Sequence, residues 1–268
     1  MAITRITSAA NPILKTVKSL KDKKGRKEAS AFLMEGLRLV DDGVSAGADI
    51  LYFVASDGFM AKNAGLSDAV TTLLNTRTGY RVPDELMVRL SDTDSPQGIM
   101  AVAAFPKIDH HAVFEKAKRY IVLEAVQDPG NVGTIIRTAD ACGFEAVLMD
   151  GRCADPYQPK VVRATMGSLF RLPVVLTENL MDSLLSLKKN GIPLAATHPA
   201  LGKTCWEADL GGSLALIVGN EANGLSEEAA NLADRPVRIP MLGRTESLNA
   251  ASAAAILLYE SMRQKSLR

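Results

Sequence analysis

Three blocks in the second half of the chain combine residue types that can hold a ligand with backbone that lets one come close. They are Asp128-Pro-Gly-Asn-Val-Gly-Thr-Ile-Ile-Arg137, Ile217-Val-Gly-Asn-Glu-Ala-Asn-Gly-Leu-Ser226 and Ile239-Pro-Met-Leu-Gly-Arg-Thr-Glu-Ser-Leu-Asn249. Each reads as an apolar strand breaking into glycine and small polar residues, where a flat ligand can reach main-chain N–H and C=O groups. The side chains offered there are Asn131, Arg137, Glu221, Ser247 and Asn249. A guanidinium stays protonated at any ordinary pH, so Arg137 offers a fixed cationic fork suited to phosphate or carboxylate.

Structural duties compete with chemistry at each of these positions. Asn131 could cap a helix, and Arg137 could pair with a surface acid. The small or apolar neighbours Ile136, Thr138, Ala139 and Ala141 suggest instead an arginine on a crowded helix face. Glu221 could favour a helix start by its charge. Ser226, backed by Glu227 and Glu228, is the better cap for a helix over 224–233, which leaves Glu221 without a structural duty. Ser247 and Asn249 open the last helix, where capping accounts for either but hardly for both. The small-residue run Ala250-Ala-Ser-Ala-Ala-Ala255 lets that helix press its backbone against another element.

The elements that must position these blocks follow from hydrophobic periodicity. Asn11-Pro12 predicts a capped helix start, with Ile13, Leu14, Val17 and Leu20 at helical spacing. Strands are expected at 31–35, 49–55 and 97–105 and helices at 36–46, 66–75 and 83–90, which together make an α/β unit over residues 1–106. A linker at 107–118 includes Pro106's neighbours and the start of a helix over 112–119. The nearly continuous apolar run 120–126 is of the kind buried on both sheet faces. Further strands at 146–149, 173–176, 193–197, 214–219 and 237–240, with helices between most of them and a last one over 247–264, predict a parallel sheet over 119–268.

Composition narrows the function classes. The 268 residues are 47% apolar and 23% charged, as in globular proteins. No apolar run approaches the ~20 residues of a membrane span, and the opening Met-Ala-Ile-Thr-Arg lacks a secretory profile. Cys142, Cys153 and Cys205 are too scattered for a disulfide framework or a zinc ribbon, which predicts a reducing, cytoplasmic setting. The three histidines show no metal spacing, so no metal is expected. The turn Gly130-Asn-Val-Gly133 is not a dinucleotide fingerprint, and neither a Walker lysine loop nor a G-x-S-x-G hydrolase elbow is expected. Net charge is only +1, yet residues 1–40 carry nine Lys/Arg against three acids. Such polarity fits either a face for a polyanion or a solvated helix.

In order and wording, the three blocks resemble the three motifs of the SpoU-type (TrmH-like) RNA ribose 2′-O-methyltransferases. Residues 131–139 stand for the first motif, 217–226 for the second and 239–256 for the third. Ala222 departs from a frequent glycine, and Ala250-Ala-Ser replaces a Val-Ser-Val-like stretch. The amino-terminal part, with Gly36 after Phe32-Leu-Met-Glu35 and with Gln97-Gly98, resembles the L30e-like substrate-binding domain of rRNA members. The resemblance implies a SPOUT parallel-sheet domain with a trefoil knot, a homodimer and S-adenosylmethionine as cofactor. It carries function to Asn131, Arg137, Glu221, Ser247 and Asn249. It places Thr197, Leu216, Val218, Gly219, Asn220, Ile239, Met241, Leu248 and Asn249 around the cofactor. Lys15, Lys18, Lys23, Lys24, Arg26 and Lys27 are then expected to grip RNA phosphates. Large-subunit rRNA is the favoured substrate and tRNA the runner-up, with a role in antibiotic resistance open. A non-catalytic RNA-binding or ribosome-assembly protein is the competing class, disfavoured by the intact polar set.

Overall fold

Apolar runs alternating with amphipathic stretches build two α/β units in the computed structural model, which describes residues 3–62, 65–198, 201–244 and 247–268. One unit holds the residues up to 107 together with 157–170; the other holds 108–156 and 171–268. The division is therefore not colinear with the sequence. Tyr157 and Phe170 flank Phe32 of the first unit at ring-centre distances of 5.1 and 6.1 Å, and Arg163 lies 3.6 Å from the buried Glu35 carboxylate.

In the first unit five strands form one sheet, in the order Ile3–Arg5, Gly79–Val82, Ile50–Ser56, Ile99–Ala104 and Ala31–Glu35. The first three run parallel, and the last two pair antiparallel with their neighbours. Leu14, Val17 and Leu20 join Leu33, Val54 and Met100 in its core. The helix Pro12–Ser19 starts as its residues require: Asn11 accepts the Ile13 N–H at 2.9 Å, and Pro12 sits where no donor is needed.

The basic helix Lys23–Ala29 follows. Its Gly25 is buried, and a Cβ there would overlap the Ser19 carbonyl, so the two helices meet backbone to backbone. Lys15, Lys18, Lys23, Lys24 and Lys27 are exposed. Arg26 corrects the expectation that it grips RNA. It is 2% exposed, and its Nη1 donates to the carbonyls of Leu20 at 2.9 Å and Lys21 at 2.8 Å. Those carbonyls lie at a helix end, where partners are otherwise lacking. The string Gly43-Val-Ser-Ala-Gly47 has the spelling of a hydrolase elbow. It closes the helix Leu37–Ser45, and so lacks the strand-to-helix turn that makes such a serine a nucleophile.

The second unit is a seven-stranded sheet, parallel throughout, ordered Lys203–Thr204, Arg235–Arg238, Leu194–Thr197, Leu214–Val218, Arg119–Leu123, Ala146–Asp150, Val174–Thr177. Every residue of Arg119–Leu123, Ala146–Asp150 and Leu214–Val218 is buried, as in sheets covered on both faces. All carboxyl ends lie along one edge, the side on which open parallel sheets bind ligands.

Several boundaries depart from the sequence expectation: the strand expected at 237–240 is Arg235–Arg238, and the helix expected over 224–233 is Glu227–Leu232. The run 120–126 stops being strand at Leu123, because Ala125 takes a left-handed φ of 53°. The helix expected over 112–119 is His110–Lys116, and Arg119 opens a strand instead. That arginine is buried; its Nη2 donates to Ser261 Oγ at 2.9 Å and its guanidinium lies 4.7 Å from the Phe144 ring centre. The last helix is Ala250–Ser266, and it packs against Pro129–Ala141 with Ala250, Ala251 and Ala254 buried. Among the described residues no helix is long and apolar enough to cross a membrane.

Candidate active site

The carboxyl-end edge gathers the three motif loops through one chain of side chains. The helix Pro129–Ala141 is capped by Asp128, whose Oδ1 accepts the Asn131 N–H at 2.9 Å. This turns the Asn131 side chain into the protein, where it is 9% exposed. Its Nδ2 donates to Glu221 Oε1 at 2.8 Å, and its Oδ1 accepts from Asn249 Nδ2 at 3.0 Å. Asn249 also caps the last helix, its Oδ1 accepting from the N–H groups of Ala251 at 2.9 Å and Ser252 at 3.2 Å. One amide thus ties the second and third motifs to the first. Asn249 thus has two duties, capping the last helix and tying it to Asn131. Thr245 and Glu246 of the third motif lie outside the described residues.

Glu221 is held as an anion. Burial alone would raise its carboxyl, but the Asn131 amide and the backbone N–H groups of Gln127 and Asp128 outweigh that and keep its pKa below the usual value. Around it the loop 219–226 closes tightly. Asn220 and Gly224 exchange two backbone hydrogen bonds, each 2.9 Å, and Asn220 Oδ1 accepts from Ala222 and Asn223 N–H at 3.0 Å. Any side chain at Gly219 would strike the backbone of Gly224 and Leu225.

These loops enclose a cleft of about 490 Å³, within the size range of small-molecule sites. Val218, Val237, Ile239, Met241, Leu248 and Leu257 give it apolar walls, the main chain of 219–225 gives polar edges, and Glu221 and Glu227 supply negative charge. A flat, partly apolar ligand carrying a positive charge suits such a lining. Among the described residues no cluster of three or more His, Cys, Asp or Glu could hold a metal.

Of the residues expected around a cofactor, Thr197, Val218, Gly219, Asn220, Ile239, Met241 and Leu248 line the cleft. Leu216 does not. It is fully buried in mid-strand, in register with Ala195 on one side and Ile121 on the other, two residues short of the strand end where the cleft begins. Asn249 is not part of the lining either and acts through the cap and Asn131. Ser247 is exposed on the cleft wall.

Arg137 stands apart from the relay. Six residues on from Asn131, about 9 Å along the helix, it lies on the exposed side and not on the crowded face expected for it. Among the described residues no hydrogen bond or ion pair engages it. His198 and Asn223 also line the cleft, with no sequence signal to find them. Glu124, buried at a strand end, did leave a signal: a lone charge inside the apolar run 120–126.

Residues 118–259 match the family model described as the SpoU rRNA Methylase family, and residues 11–101 match one described as an MRM3-like substrate binding domain. The chain is 35% identical over 258 residues to the 23S rRNA (guanosine(2553)-2′-O)-methyltransferase RlmP of Bacillus subtilis, covering 95% of this chain and 98% of that protein. It is 32% identical over 270 residues to the 23S rRNA (uridine(2479)-2′-O)-methyltransferase of Streptomyces viridochromogenes, covering 98% and 93%. The structure of an AdoMet-bound rRNA methyltransferase from Sinorhizobium meliloti superposes with a TM-score of 0.86 at 33% identity, covering 97% of this chain and 98% of that one.

Proposed function

The chain belongs to the SpoU rRNA methylase family, and from that premise we propose that it methylates a ribose 2′-hydroxyl of large-subunit rRNA with S-adenosylmethionine as donor. The observation that carries this reading is the Asn249–Asn131–Glu221 relay, which holds three motif loops around a cleft of cofactor size. The apolar walls and acidic rim fit S-adenosylmethionine, which would be held by Thr197, Val218, Gly219, Asn220, Ile239, Met241 and Leu248. When bound, that cofactor supplies an electrophilic methyl group on a cationic sulfur.

The chain's own residues then have to place a 2′-oxygen in line with that methyl group, so much of the rate enhancement is positional. Arg137, exposed and permanently charged, takes the phosphate beside the target ribose and stabilises negative charge developing on the oxygen. The hydroxyl proton leaves to another group or to solvent. Ser247 on the cleft wall orients the ribose, while Asn131, Glu221 and Asn249 hold the loops. The loops around the cleft are inferred to be those of the family's trefoil knot.

Residues 1–106, with exposed Lys15, Lys18, Lys23, Lys24 and Lys27, grip the RNA backbone. A homodimer is part of the proposal, supported by the exposed apolar pair Ile256 and Tyr259 on the last helix. Sedimentation should give twice the chain mass of 28.6 kDa; a monomer at micromolar concentration would contradict this. Use of rRNA as substrate supports a cytoplasmic setting. Mapping ribose methylation in cells with and without the gene tests the substrate. The expected result is one large-subunit rRNA nucleotide losing its 2′-O-methyl group; loss confined to tRNA, or no loss, would refute it.

A further inference from the structure

Two carboxylates are buried side by side where the strands Arg119–Leu123 and Ala146–Asp150 end, Glu124 at 2% exposure and Asp150 at 7%. Such a pair is costly without a counter-charge, and Arg152 supplies it. Its Nε donates to Asp150 Oδ2 at 2.7 Å and its Nη2 to Glu124 Oε1 at 3.1 Å. The other two oxygens hold backbone. Asp150 Oδ1 accepts the Ala125 N–H at 3.0 Å, fixing a residue whose φ of 53° is unusual for a side chain with a Cβ. Glu124 Oε2 accepts the N–H of Ser226 at 3.0 Å. Ser226 ends the glycine-rich loop and caps the helix Glu227–Leu232. Ala125, held by Asp150, accepts from Asn220 Nδ2 at 2.8 Å through its carbonyl.

None of the three side chains lines the cleft, yet Glu124 grips a loop that does, Asp150 grips the loop next to it, and Arg152 holds the two carboxylates together. We propose that Glu124, Arg152 and Asp150 are positioning residues for the cofactor: they fasten loop 219–226 to loop 124–128 and so set the wall against which S-adenosylmethionine lies. The inference rests on the reading of the cleft as the cofactor site. Burial would raise the Asp150 carboxyl, but hydrogen bonds from Arg152, Ala125 and Cys153 outweigh it and hold its pKa below the usual value.

The test uses the full chain. S-adenosylmethionine affinity is measured by calorimetry for wild type, Glu124→Gln, Glu124→Ala, Arg152→Met and the double variant Glu124→Gln/Arg152→Met, with a melting curve for each. Methyl transfer to rRNA is measured at saturating cofactor. Glu124→Gln keeps an acceptor for Ser226 but turns an amide NH2 toward Arg152, so it should bind more weakly than wild type yet more tightly than Glu124→Ala, which loses both contacts. Glu124→Ala and Arg152→Met should each bind roughly tenfold more weakly, the scale of one buried hydrogen bond left unmade. At saturation kcat should stay within about twofold, since no reacting group is touched. The double variant should recover part of the affinity lost in Arg152→Met, because only one of the two buried carboxylates, Asp150, is then left without its counter-charge. A merely structural role would lower melting temperatures and leave the affinity of folded protein unchanged; that result in Arg152→Met overturns the inference even if Glu124→Ala fails to fold. Wild type that binds no S-adenosylmethionine overturns the reading of the cleft itself.

Discussion

Asn131 donates to one loop and accepts from another, so the geometry of the site depends on a single amide that cannot be rotated without losing both bonds. Its partner Glu221 makes the arrangement sensitive to pH. The folded pKa of Glu221 lies below its ordinary value of 4.5. Its stabilising effect is therefore fully present above about pH 4.5 and lost as pH falls through the lower, folded value. The urea midpoint of wild type should drop more on acidification below pH 4.5 than that of Glu221→Gln; equal slopes would show that the carboxylate is not engaged. Arg137 has the opposite character, with no partner among the described residues and no place in the cleft wall. Arg137→Ala should lower kcat by about 10²–10³, with S-adenosylmethionine affinity unchanged by calorimetry. A parallel fall in affinity would move it into the cofactor site. At this scale the sequence singled out Asn131, Glu221 and Asn249, which the structure joins by hydrogen bonds, and obscured how they meet. Asn249 could be read as a cap or as a site residue, and only the fold shows it capping the last helix while donating to Asn131. Arg26 sits in a run of basic residues, and charge alone cannot tell a buried staple from an exposed grip.

At the scale of elements, apolar runs located the strands of the second unit because strands buried on both faces need no alternation to be seen. Their order was not legible. Leu214–Val218 slips between two earlier strands, an arrangement set by long-range pairing that leaves no local trace. The two-residue strand Lys203–Thr204 is too short for any periodic signal. Gly25 is a sharper case, since the basic run 21–27 around it reads as a helix end or loop, whereas Lys23–Ala29 is a helix. The structure shows Gly25 as the place where two backbones touch. Gly25→Ala should cost roughly 1–3 kcal/mol through forced separation of the helices, seen as a lower denaturant midpoint. A neutral or stabilising result would mean the helices can part freely.

For the whole molecule, the charge split between residues 1–40 and the remainder was the clearest sequence signal of a polyanionic partner, and five lysines of that cluster are exposed. RNA affinity should fall steeply with salt, and replacing Lys23, Lys24 and Lys27 together by Ala should flatten that slope by about two to three charges' worth. An unchanged slope would place the RNA elsewhere. The two-unit division was visible as a change in element pattern near residue 106. The capture of residues 157–170 by the first unit was not, because it depends on aromatic contacts of Phe32 with residues more than a hundred positions away. Ribose methylation of rRNA can be measured as transfer of a radiolabelled methyl group from S-adenosylmethionine to unmodified large-subunit rRNA by wild type and Arg137→Ala. Label should appear in alkali-resistant dinucleotides with wild type and fall by about two orders of magnitude or more in the variant. Label in alkali-labile nucleotides, or equal transfer by both proteins, would contradict it.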